Sequence, residues 1–405
     1  METACCRTSD AVLYADFNYN VYIFSKKDLI VSLMEVPVFG IYIHIPFCVR
    51  KCPYCDFYSV SVSKGLRQTY LSALKNQILS FDPVKADTIY FGGGTPSLLM
   101  PEEISEILDV IKSKNDISAD AEISMECNPA TVTKNSLRDF LSAGINRLSV
   151  GCQSFHGPCL EALGRLHSVQ EAVQTVSDAY DAGFRNVSAD IMLGIPFEDP
   201  QIAADDARTA ASLGLQHVSA YLLRICEGTP FADGVAGVPE DDVQAECYRA
   251  FCSVMDCCGY TQYEISNFAR SGYESRHNLK YWQCASWLGL GPAAHSSING
   301  KRYSFPADLR NYISVFGSNP ASDPLACLKE EGTVDAEEYI ITSLRTSDGL
   351  DLQTLSDRFG SSFGEPELSF LRECEKAGLA EISPGRIRLT RDGFLVSNSI
   401  ISELL

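Results

Sequence analysis

Short apolar, β-rich segments recur along the first half of this chain, and helical patterns lie between them. Strands are expected near Gly40–Ile45, Thr88–Phe91, Glu122–Glu126, Arg147–Gly151, Asn186–Leu193 and His217–Leu222. Helices are expected over Leu66–Phe81, Pro101–Lys112, Ser136–Ala143, Val169–Ala182 and Ala203–Leu213. Pro101 suits a first helical turn, and Glu102 and Glu103 suit its positive end. Gly144, Gly183 and Gly214 follow helix ends, where a left-handed residue closes the last turn. Repeated strand–helix alternation builds a parallel sheet flanked by helices. Six such units predict a partial (β/α)6 barrel rather than a closed eight-fold one.

Barrel chemistry sits on the loops at the C-terminal ends of the strands. The first such loop holds Cys48-Val-Arg-Lys-Cys52-Pro-Tyr-Cys55, a C-x3-C-x2-C run. A four-iron cluster normally takes four thiolates. Three local ligands leave one iron open, and an open coordination position is where a small molecule binds and reacts. In radical enzymes that molecule is S-adenosylmethionine, held through its amino and carboxylate groups. Zinc is the competing reading, but it normally wants a fourth Cys or His at matching spacing, and His44 falls within a strand. The expected centre is a 4Fe–4S cluster on Cys48, Cys52 and Cys55. Gly92-Gly93-Gly94-Thr95-Pro96 follows the second strand, where glycines let backbone approach a ligand closely. Glu126, Gln153, Arg165 and Asp190 stand in or after later strands as further polar contacts.

The chain carries sixteen cysteines in 405 residues, with a net charge of −19. That is no small disulfide scaffold. Glu2 and Asp10 occupy the place of a basic leader region, so reduced thiols and a cytoplasmic location are expected. The acidic balance argues against nucleic acid as a partner. No run of ~18 apolar residues suggests a membrane span; the segment Leu29–Val49 is interrupted by Glu35, two prolines and His44. Residues 1–33 show no clear period and are expected to be an extension, either poorly ordered or a product of start-site choice. The barrel is expected over 34–317, with its last part irregular and rich in aromatics. A linker is expected over 318–338. A small winged-helix-like α+β domain follows over 339–405: helices Leu352–Phe359 and Glu367–Ala377, a hairpin turning at Pro384-Gly385, and a last helix capped by Thr390. Six Lys/Arg against eight Asp/Glu from Leu352 onward argue against DNA binding there.

Taken in order, YIHIPFCVRKCPYCDF, FGGGTPSLL, MECNP, RLSVGCQSF, ADIMLGIP and YEISNFA resemble the radical S-adenosylmethionine group related to oxygen-independent coproporphyrinogen III oxidase. The resemblance runs over roughly residues 36–405. It implies cofactor residues at Tyr42, Cys48, Cys52, Tyr54, Cys55, Gly93, Gly94, Thr95, Glu126, Gln153, Arg165 and Asp190. It also implies an electron donor for the cluster, and reductive cleavage of the sulfonium to a 5′-deoxyadenosyl radical in the members that turn over. Two branches compete. The oxidase branch has a further cysteine two residues beyond the third, where this chain has Phe57. The HemW-type heme chaperones carry H-N-x-x-Y-W, and this chain has His277-Asn278-Leu279-Lys280-Tyr281-Trp282, then GLGPAAHS from Gly289 to Ser296. A lone histidine is more often a structural hydrogen bonder. Within that hexapeptide His277 is expected to bind heme iron, with Tyr281 and Trp282 on the porphyrin face, Arg276 on a propionate and His295 as a second candidate ligand. The resemblance therefore implies heme as a ligand and a heme-accepting protein, respiratory and membrane-associated, as the partner. Coproporphyrinogen decarboxylation is the alternative function.

Overall fold

The computed structural model describes residues 37–405, together with three short strands, Arg7–Thr8, Ala11–Ala15 and Val21–Ser25, that pair antiparallel among themselves. Apart from those strands, the expectation for 1–33 falls outside the described residues. The main unit opens on β1 (Val38–Ile45) and continues through α1 (Lys64–Ser80), β2 (Lys85–Gly93), α2 (Pro101–Lys114), β3 (Asp116–Cys127), α3 (Lys134–Ala143), β4 (Arg147–Gln153), α4 (Val169–Ala182), β5 (Val187–Leu193), α5 (Pro200–Ser212), β6 (His217–Leu222) and α6 (Asp241–Cys257). The six strands lie side by side in chain order. Pairing is parallel from β2 to β3, β3 to β4, β4 to β5 and β5 to β6. This is the partial (β/α)6 barrel that the alternation predicts. The caps match as well: Gly144 and Gly183 take φ near +116° after α3 and α4, a conformation that glycine adopts without a Cβ clash.

Each strand has two unlike faces. On β1, Phe39, Ile41, Ile43 and Ile45 join the apolar core, and on β2 Ile89 and Phe91 do the same. Ile123 and Met125, Leu148 and Val150, Ala189 and Ile191, and Val218 and Ala220 continue this layer against the helices. The alternate positions turn inward and are polar: Tyr42, Tyr90, Glu126, Ser149, Asp190, Ser219 and Tyr221 line the barrel interior. A period of two thus separates core from site on every strand.

The irregular stretch supplies both sheet edges. β7 (Asn267–Ala269) runs antiparallel to β6. After α7 (Arg276–Trp282) comes β8 (Trp287–Leu290), a seventh parallel strand beside β1, which sequence reading missed. Its four residues are too short to show a period. β9 (His295–Ile298), β10 (Lys301–Ser304) and β11 (Lys329–Thr333) extend that edge antiparallel, with α8 (Leu309–Phe316) between β10 and β11. Residues 318–338 therefore contain β11 and the start of α9 (Ala336–Ser343). The C-terminal segment has α10 (Leu352–Phe359), α11 (Glu365–Lys376), a hairpin of β12 (Ala380–Ser383) and β13 (Arg386–Leu389), and α12 (Arg391–Leu395) capped by the Thr390 hydroxyl. Leu344, Leu350, Leu355, Leu371 and Ile387 form its own core. Among the described residues, no helix is long and apolar enough to cross a membrane.

The glycine turn after β2 is fastened to the end of β1. Gly94 N–H donates to the Ile45 carbonyl and Thr95 N–H to the Phe47 carbonyl, both at 2.8 Å. A Cβ on Gly94 would stand 2.7 Å from the Phe47 oxygen and 2.9 Å from that of Ile45. Gly94→Ala is expected to destabilise the fold by about 1–3 kcal/mol, read as a lowered thermal midpoint. Thr390→Ala, which removes a helix cap, should cost about 1 kcal/mol.

Candidate cofactor and ligand site

The loop after β1 is closed by a short parallel pair, Phe47–Cys48 with Val60–Ser61, and by Val60 N–H donating to the Pro46 carbonyl at 2.7 Å. Within it Cys55 N–H donates to the Cys52 carbonyl at 3.1 Å, a tight turn that sets the second and third thiols. Cys48, Cys52 and Cys55 are free and partly exposed, whereas Cys127, Cys152, Cys159, Cys247 and Cys252 are buried. All three loop thiols face one cavity of about 660 Å³ at the C-terminal mouth of the barrel. Burial pushes the Cys55 thiol above its ordinary value.

Arg165, just after the short helix Gly157–Ala162, ties this loop to the strands. One guanidinium nitrogen donates to the Tyr54 hydroxyl at 3.3 Å and to the Cys52 sulfur at 3.4 Å. Another donates to the Gly151 carbonyl at 2.9 Å and to Asn128 Oδ1. Its Nε is buried without a hydrogen-bond partner. Thr95 Oγ1 accepts from Asn128 at 3.1 Å and stands 3.6 Å from Cys48 Sγ. Tyr42 donates to His44 Nδ1 at 3.1 Å, and its ring stacks on Tyr90 with centroids 6.3 Å apart.

Two carboxylates share the interior. Glu126 accepts from the Tyr90 hydroxyl at 2.9 Å and from Gly93 N–H at 3.2 Å. Burial, and then the nearby Asp190, push its pKa up to about 7. Asp190 accepts from Ser149 at 2.8 Å, and burial pushes it up to about 6. Burial, and at Glu126 the repulsion from Asp190, make both carboxylates easier to protonate than free ones, and a nearby cation would favour their charged forms. Gln153 ends β4 with φ +69°, an uncommon conformation for a non-glycine residue, and accepts from the Tyr221 hydroxyl at 3.0 Å. The structure thus gathers Tyr42, Cys48, Cys52, Tyr54, Cys55, Gly93, Gly94, Thr95, Glu126, Gln153, Arg165 and Asp190 around one cavity.

His277, expected to bind heme iron, is not among the residues lining that cavity in this structure. It is buried in α7. Its Nδ1 is hydrogen-bonded to Thr88 Oγ1 at 2.9 Å and its Nε2 to the Tyr281 hydroxyl at 2.8 Å. The ring stacks on Tyr90 at 5.2 Å and fills the space above Gly40. Burial, then Lys280, lower its pKa to about 3. With both nitrogens engaged, neither is presented to a metal. Arg276 pairs with Asp87 and Asp120, and His295 is exposed. What the hexapeptide contributes to the cavity is Asn278, Tyr281 and Trp282. Sequence reading also missed Tyr90, Asn128, Tyr221, Trp287, Arg302, Glu338 and Thr342, all on the cavity wall. The inward polar period was a usable signal for Tyr90 and Tyr221; nothing local marks Arg302 or Glu338.

The fold and the three-thiol loop define a radical S-adenosylmethionine protein. Residues 42–210 match the radical SAM superfamily and 332–396 the HemN C-terminal domain. The heme chaperone HemW of Bacillus subtilis is 33% identical over 90% of this chain and 98% of its own length. The mitochondrial radical S-adenosyl methionine domain-containing protein 1 of Bos taurus is 30% identical over 90% of this chain and 87% of its own. The structure of the Escherichia coli coproporphyrinogen III oxidase HemN shares the fold, with a TM-score of 0.78 over 94% of this chain and 93% of that one, at 22% identity. The chain belongs to the HemW-type branch of the radical SAM family.

The His277 environment has a pH signature. Unfolded histidine protonates near pH ~6.5, while the folded site resists until about 3. The unfolded state therefore binds the extra proton between these values, so this stabilisation is complete above ~6.5 and is lost as pH falls. Thermal midpoints measured from pH ~7 down to ~4 should fall more steeply for the wild type than for His277→Gln. Parallel slopes would show that His277 is not held neutral.

Proposed function

We propose that this chain is a heme chaperone: it carries a 4Fe–4S cluster and S-adenosylmethionine, binds heme, and hands the heme to an acceptor protein. The observation that carries this is a single cavity whose lining joins two unlike sets of residues. One set is the three thiols, the glycine turn and the Glu126/Asp190 pair. The other is Tyr281, Trp282, Trp287 and Arg302. The volume of about 660 Å³ suits a cofactor-sized ligand.

Cys48, Cys52 and Cys55 would hold the cluster. They fit it as partly exposed thiols on one loop, with an unpartnered Arg165 Nε beside them. Once bound, the cluster supplies an electron and an open iron site for the amino and carboxylate groups of S-adenosylmethionine. Gly94 and Thr95 direct their N–H groups onto Ile45 and Phe47, which fixes the glycine turn beside the thiols. A cationic ligand would stabilise the charged forms of Glu126 and Asp190, offsetting the cost of their burial. Arg165 orients the loop through Cys52 and Tyr54. Tyr42 and Gln153 would bound the ligand from β1 and β4.

Phe57, exposed on the cavity rim where the oxidase branch has a further cysteine, favours delivery over decarboxylation. The acceptor is proposed to be respiratory and membrane-associated, met transiently from a reducing aqueous compartment, and an electron donor serves the cluster. The test is anaerobic reconstitution with iron and sulfide, a heme titration with and without the cluster, and a coproporphyrinogen III assay on the same preparation. Heme binding without porphyrinogen turnover is the expected result. Robust decarboxylation, or no heme binding, would overturn the chaperone assignment. Cys48→Ala, Cys52→Ala and Cys55→Ala should each lose most of the reconstituted iron.

A further inference from the structure

The cavity wall also holds a guanidinium whose bonding is incomplete. Arg302 on β10 lies with its central carbon 4.2 Å from the centroid of the Trp287 ring. Its Nε donates to Glu338 Oε1 at 2.8 Å, and Nη2 donates to the same oxygen. Its Nη1 is buried and has no hydrogen-bond partner. Arg302, Glu338 and Trp287 all line the cavity. Tyr281 meets Trp287 edge-on at 4.6 Å, which continues the aromatic wall.

A buried guanidinium donor without an acceptor is uncommon and costly. Stacking on Trp287 and the bonds to Glu338 fix the plane of the group, so the orientation of its remaining N–H groups is set before a ligand arrives. The complement to an aromatic wall joined to a fixed guanidinium is a flat conjugated molecule with a carboxylate on its edge. We propose that Arg302 anchors a peripheral carboxylate of the tetrapyrrole, so that the ring lies along Trp287, Tyr281 and Trp282. This rests on the heme reading of the cavity and deepens it. Glu338, at the start of α9 and inside the region that matches the HemN C-terminal domain, is then a positioning residue. It holds the guanidinium flat but repels the incoming carboxylate, so its charge weakens capture.

The chain has two tryptophans, and both face this cavity, so its tryptophan emission reports on this wall alone. Quenching of that emission, alongside Soret absorbance, should be followed on the full chain with hemin and with hemin dimethyl ester, which lacks free carboxylates. Wild type is expected to bind hemin about tenfold more tightly than the ester. Arg302→Gln should lose roughly that factor for hemin and leave the ester unchanged. Arg302→Lys, which keeps the charge but not the fork, should recover part of it. Glu338→Gln should raise the preference for hemin several-fold. Equal affinities of the wild type for hemin and ester, or a folded Arg302→Gln that keeps wild-type hemin affinity, would overturn the anchor. If Arg302→Gln fails to fold, a hemin-to-ester ratio unmoved by Glu338→Gln overturns it instead. Binding of neither ligand by the wild type defeats the heme reading itself, which separates the two failures.

Discussion

Everything at the mouth of the barrel depends on how the cysteine loop is held against the strand ends. A loop over an open barrel has no core of its own. Here Arg165 reaches Cys52 and Tyr54 on one side and Asn128 and Gly151 on the other. These partners come from the loop, from the residue after β3, and from β4. One fork-shaped, permanently charged side chain therefore sets the spacing between thiols and strands. The second fastening is backbone: the glycine turn after β2 donates once to Ile45 at the end of β1 and once to Phe47 at the start of the cysteine loop. Close approach there leaves no room for a Cβ on Gly94, whose position is fixed by sterics rather than by flexibility.

The strands make this possible because their two faces do different work. The outward face is aliphatic and packs on the helices, and it carries the stability. The inward face is left free to be polar, and in a wide, incomplete barrel it need not fill the interior with side chains. The cost appears as buried hydroxyls and carboxylates that must satisfy one another. Tyr90 on Glu126 and Ser149 on Asp190 are such pairs. His277 closes the same kind of network from α7 through Thr88 and Tyr281. Its lowered pKa reflects desolvation within this hydrogen-bonded set.

Much of this was legible from the residues. The six strands emerge from local apolar pattern, and Arg147 and His217 mark strand starts to the residue. The C-x3-C-x2-C loop, the glycine turn and the acids at strand ends were legible because each motif is local or falls at a predictable strand terminus. β8 was not, since four residues carry no period. Lys329–Thr333 was not, because charged, exposed residues in an edge strand look like a linker. The hydrogen-bonded setting of His277 was not legible either, for a different reason. The motif HNLKYW correctly marks a segment at the site, with Asn278, Tyr281 and Trp282 on the cavity. Which residues of a helix turn toward a cavity depends on what packs behind it, and β2 supplies Thr88 and Tyr90 as partners for the histidine.

Arg302 and Glu338 show the limit of local signals. They are separated along the chain by α8 and β11, and β10 and α9 bring them together. No spacing rule connects them, and each alone resembles a surface charge. Their meaning comes from a third element, β8, which sets Trp287 beneath the guanidinium. β8 is held in turn by its parallel pairing to β1, the strand that leads into the cysteine loop. The register along β1 therefore joins the strand that carries Trp287 to the strand that leads into the cysteine loop.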